Sequence, residues 1–79
     1  SETAEAEAES AFNAGDYQRA FAALEILMRD QPGNSTARLY TGICLLELQR
    51  PAEARNVLAP LIDQATALRA DALWYTALD

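Results

Sequence analysis

Ala20-Phe21-Ala22-Ala23-Leu24-Glu25-Ile26-Leu27 and, 34 residues further on, Ala54-Arg55-Asn56-Val57-Leu58-Ala59-Pro60-Leu61 decide how this chain is read. Ala20 falls on Ala54, Leu24 on Leu58 and Leu27 on Leu61. Steps of four and three residues bring each trio to one face of a helix, so both stretches present the same stripe of one small and two large apolar side chains. A shift of 35 then superposes Leu39-Tyr40-Thr41-Gly42 on Trp74-Tyr75-Thr76-Ala77, which implies one inserted residue near Thr66. A third unit therefore starts before the chain ends.

Outward from these stripes the chain alternates helices with short breaks. Residues from Glu2 to Ala14 combine strong helix formers with early acids that complement the positive end of the helix dipole. Gly15-Asp16 closes that helix and opens the next, with glycine taking a left-handed cap and Asp16 capping a helix to about Asp30. Gln31-Pro32-Gly33-Asn34 breaks the chain again, and Asn34 or Ser35 caps a third helix through about Leu48. Arg50-Pro51 starts a fourth, because proline suits the first helical turn. Pro60, lacking a backbone donor, should bend the fourth helix, and a fifth is expected to begin around Leu68 to Ala70.

Composition agrees with helices alone. Of 79 residues, 51% are apolar, and most of these are Ala and Leu rather than the Val and Ile that favour strands. The net charge of −6, from twelve acids against six arginines with no His, argues against broad contact with nucleic acid or an anionic membrane. No apolar run approaches the roughly 18 residues needed to cross a bilayer. The lone Cys44 cannot close a disulfide within the chain, so compartment is not written here. The chain ends inside a helical pattern, without a terminating signal, and is expected to be a segment of a longer protein.

A unit of about 34 residues built from two helices resembles the tetratricopeptide repeat family. In the first unit Ala8, Gly15-Asp16-Tyr17, Ala20, Leu24, Leu27 and Pro32 fall where that family places its small, turn, core and terminating residues. Gly42, Leu45, Ala54, Leu58 and Leu61 do so in the second. The large aromatic usual early in the first helix is replaced by Ala4 and by Arg38, and the terminating proline of the second unit by Thr66. The resemblance implies an all-α, right-handed solenoid of antiparallel helix pairs: repeat one over residues 1–34, repeat two over 35–69 and a partial third over 70–79. Small residues let paired helices approach, leucines fill the space between them, and stacking of pairs leaves a concave side.

By the same resemblance the first helix of each unit lines a partner-binding groove. The positions carried over include Glu5, Glu9, Phe12 and Asn13, then Thr36, Leu39, Ile43, Leu46 and Glu47, then Trp74. Family members that grip a peptide's terminal carboxylate use Lys, Arg and Asn in such places. Glu5, Glu9, Leu39 and Ile43 stand there instead, which rules out that clamp. The expected ligand is a protein or peptide with apolar anchors and basic flanks.

Blander readings apply to each feature. Glu2, Glu5, Glu7 and Glu9 suit a solvated helix start. Leu39, Ile43 and Leu46 are as well suited to packing between successive helices as to an open surface. Phe12 and Tyr17 are expected at a core junction, and Cys44 as a buried small residue. With no His, no Lys, no phosphate-binding loop and no Ser or Cys beside a plausible base, neither catalysis nor a metal or cofactor site is expected. The alternative to a binding module is an architectural spacer, with the apolar stripe sealed inside a larger protein. An incomplete third unit leaves an apolar face and an expectation of self-association.

Overall fold

A computed structural model describes the backbone of residues 2–78 and the side chains of residues 3–65. The described residues form four helices: α1 (Glu2–Asn13), α2 (Tyr17–Asp30), α3 (Ser35–Glu47) and α4 (Pro51–Leu78). They contain no strand. Each helix packs on the next in the chain, α1 on α2, α2 on α3 and α3 on α4.

The turns explain the boundaries. Asp16 accepts the Arg19 N–H at 3.2 Å and Asn34 accepts that of Ala37 at 3.0 Å, so each helix entry is capped by the residue type expected there. At the end of α1, Gly15 takes φ +78°, its N–H donating to the Phe12 carbonyl at 3.1 Å and that of Asp16 to the Ala11 carbonyl at 2.9 Å. At the end of α3, Gln49 takes φ +61°, with Gln49 N–H on Leu46 O at 3.0 Å and Arg50 N–H on Leu45 O at 2.8 Å. Both are the same glycine-type helix stop, a 6→1 and a 5→2 bond around a left-handed residue, and every atom in one has its counterpart 34 residues away.

The repeat thus governs backbone geometry as well as residue size, and it forces Gln49 into a conformation a side chain resists. Gln49→Gly should stabilise the fold by about 1 kcal/mol, and Gly15→Ala, with open space around its Cβ, should cost a similar amount through backbone strain alone. Urea midpoints at unchanged slope measure both; a Gln49→Gly midpoint at or below wild type would contradict this account.

The core is built mainly from alanine. Ala4, Ala8, Ala11, Ala20, Ala23, Ala37, Leu24, Leu27 and Cys44 form one buried cluster, with Phe12, Tyr17, Phe21 and Met28 packed at its margin. Such small contact residues let helices approach closely and let two leucines fill what remains. Gly42 carries this to its limit, since a Cβ there would lie 2.5 Å from Leu58 Cγ. Where the family's early aromatic is missing, Ala4 is simply buried, and Arg38 spans two elements, donating to the carbonyls of Val57 at 3.4 Å and Pro32 at 3.3 Å.

The expected fifth helix is not separate. α4 runs unbroken from Pro51 to Leu78, through Pro60. The reason lies in the residues that replace the break of the first unit: 34 positions after Gln31-Pro32-Gly33-Asn34 stand Ala65-Thr66-Ala67-Leu68, none of which stops a helix. At its start, Pro51 occupies the first turn and Glu53 pairs with Arg50 across it.

Candidate functional site

A cavity of about 560 Å³ opens between α1 and α3. α1 contributes Glu5, Ala8, Glu9, Phe12 and Asn13 at helical steps of three and four, and α3 contributes Thr36, Ala37 and Tyr40. Leu24 and Leu27 of α2 form the floor, so the two leucines of the opening stripe serve both core and groove. Asn34 closes one end, but its side chain is committed to the turn: Oδ1 accepts from Ala37 and Nδ2 donates to Gln31 Oε1 at 3.0 Å.

Aromatic rings bridge the two walls. Phe12 meets Tyr40 edge to face, with centroids 4.9 Å apart, and meets Tyr17 in the same manner at 5.6 Å. Such pairs hold ring edges and faces in fixed relation and leave the Tyr40 ring partly open to solvent. The glutamates differ from the acids around them. Glu7, on the far side of α1, takes Arg19 Nε at 2.6 Å, whereas Glu5 and Glu9 have no basic partner among the described residues. A cationic group entering the groove would meet two uncompensated carboxylates and aromatic rings together.

Of the residues expected at a partner site, the fold gathers Glu5, Glu9, Phe12 and Asn13 into this cavity. Leu39, Ile43, Leu46 and Glu47 do not line it, and the side chain of Trp74 lies outside the described residues. Leu39 and Leu46 are 45% and 51% exposed, so the stripe they make is open in this chain. Tyr40 was not among the expected residues; its step of four from Thr36 on α3 is the signal that places it in the groove.

Cys44 is fully buried, with the thiol pKa raised by burial and by the nearby Glu47 carboxylate. The folded state keeps this proton at a pH where the unfolded thiol has lost it. Because the buried thiolate is penalised, this group leaves stability unaffected below about pH 8.5 and lowers it as pH rises from there through the raised folded value. Cys44→Ala should remove that alkaline component, and a thiol reagent at about pH 8 should label wild type no faster than the fold opens. Rapid labelling of the native protein would contradict the buried assignment. Among the described residues no group of three His, Cys, Asp or Glu is placed to hold a metal, and no helix is long and apolar enough to cross a membrane.

Paired helices, recurring at 34 residues with equivalent caps and core positions, define an all-α helical-repeat protein. The sequence profile of the tetratricopeptide repeat matches residues 5–66, and the chain belongs to that family. Repeats of this family in general mediate contacts between proteins and are not enzymes. No curated protein and no solved structure matches the chain.

Proposed function

We propose that this chain binds a segment of a partner protein in the groove between α1 and α3, with apolar anchors on Phe12, Tyr40 and the leucine floor and basic flanks on Glu5 and Glu9. The observation that carries the reading is the pairing of a ligand-sized apolar cavity with two carboxylates that nothing described in the chain neutralises. Net charge adds to this: at −6 the whole molecule draws basic partners in and discourages acidic ones. In this reading repeat one ends near residue 34 and repeat two near 69, and the pairs stack with a right-handed rotation that puts the groove on the concave side.

A random peptide library selected on the wild-type chain tests it. Recovered sequences should place Arg or Lys beside an aromatic or branched apolar residue, and Glu5→Lys with Glu9→Lys should weaken them by about tenfold or more. Both glutamates are exposed, so melting should hardly change. Acidic winners, or basic ones indifferent to the charge reversal, would sink the proposal. Leu39 and Ile43, outside the cavity, test whether the contact extends along α3 or the role is purely architectural: if they add an anchor, Leu39→Glu or Ile43→Glu lowers capture at intact helicity, and if they are sealed by neighbouring helices the same changes unfold the assembly.

A further inference from the structure

The stacking face that α3 covers on the first helix pair has a counterpart on the second, and that counterpart is only partly covered. Leu24 and Leu27 of α2 are each 4% exposed beneath α3, whereas Leu58 and Leu61, their equivalents on α4, are only half-buried. Phe12 finds Tyr40 of the following unit, whereas its equivalent Leu46 stands 51% exposed. The sequence names the missing cover. At the shift of 35, residues 70–78 repeat the start of α3, Tyr75 taking the place of Tyr40 and Ala72 and Thr76 those of Ala37 and Thr41, two of the small residues that α3 buries.

That segment cannot cover its own chain as long as α4 is continuous, because a single helix does not fold back on itself. A break would have to form at Ala65-Thr66-Ala67-Leu68, where the chain has neither the proline nor the glycine of the first unit. Both facts are met at once by a second copy. Two α4 helices placed antiparallel about a two-fold axis near Thr66 set residues 66–78 of each alongside residues 51–65 of the other. Antiparallel is also the direction in which α3 lies on α2, the two being joined by a tight turn. The half-helix 66–78 matches α3 in length.

We propose that the chain forms a two-fold dimer by exchanging the second half of α4, each copy supplying the helix that seats on Leu46, Leu58 and Leu61 of its partner. The surface is separate from the α1–α3 groove, so the two readings stand or fall independently. Each copy carries −6, and the dimer therefore tightens as salt screens that repulsion.

Sedimentation of the full chain over a concentration series, at low and high salt, provides the test. Wild type should pass from monomer to dimer, with the transition moving to lower concentration in salt. Leu46→Glu, at a half-exposed site that does not endanger folding, should weaken dimerisation by about tenfold or more. Thr66→Pro with Ala67→Gly restores the break of the first unit and should give a monomer of undiminished helical signal, its last helix folded onto its own chain. A wild type that stays monomeric throughout overturns the proposal, as does a dimer that survives either change.

Discussion

Leu45→Ala should lower the stability of the chain by about 3 kcal/mol and its melting temperature by more than about 10 °C, read from thermal and urea unfolding followed by helical signal. Among the described residues Leu45 is the largest fully buried apolar side chain, at 1% exposure, and it lines one cavity together with Phe21 and Met28 of α2 and Val57 of α4. Truncation deletes buried apolar surface and leaves a void that the neighbouring side chains refill only in part. For a chain of this size the whole margin is about 4–12 kcal/mol, so one such loss removes a large fraction of it. The equivalent position in the first unit is already Ala11, fully buried. Ala11→Leu should therefore be destabilising as well, through crowding rather than a void. A Leu45→Ala protein that melts within a few degrees of wild type would show that the second pair is not anchored there.

Gly42→Leu is the second large effect. Helix propensity alone favours the change by about 0.8 kcal/mol, but geometry opposes it. A Cβ at Gly42 would approach Leu58 Cδ1 to 2.9 Å and Leu58 Cγ to 2.5 Å, and Cδ2 closer still. Leu58 is half-buried and can be pushed outward, but only by giving up its contact with α3 and opening the α3–α4 pair. Overpacking of this kind costs about 1–3 kcal/mol and more when backbones must part. The crowding exceeds the propensity gain, and the net result is a loss of about 2 kcal/mol or more. Leu58→Ala in the same chain should recover part of it, so that the two changes together cost less than their sum. Strict additivity would mean that Gly42 and Leu58 do not meet.

These two positions also mark how far residue order alone could be followed. Ala8, Ala20, Gly42 and Ala54 were readable as points of close approach, because small residues at helical spacing opposite leucines have few other uses. That Gly42 meets Leu58 in particular depends on how α3 and α4 are set against each other. Leu58 and Leu61 were likewise readable as core fillers, yet they are half-open while Leu24 and Leu27 are sealed. Identical local patterns acquire different burial because one pair has a following helix over it and the other does not.

The groove divides in the same way. Glu5, Glu9, Phe12 and Asn13 follow from the period of α1, but Tyr40 as the opposing wall, and Leu24 and Leu27 as the floor, follow from three helices meeting. The left-handed Gln49 was hidden for another reason. Glutamine carries no signal for positive φ, and only the hydrogen bonds it shares with the Gly15 turn reveal the role.

The paired stripes of Ala20, Leu24 and Leu27 and of Ala54, Leu58 and Leu61, with Gly15-Asp16 and Pro32-Gly33-Asn34 between helices, determined by themselves an all-α repeat of two-helix units. Periodicity and caps act within a few residues, and that much is local physics. Only the tertiary structure decided that α4 runs on as one helix, that α1 and α3 enclose an acidic and aromatic groove, and that the next stacking face lies open. Each of those depends on which surfaces meet after the helices have formed, a matter of packing between segments far apart in the chain.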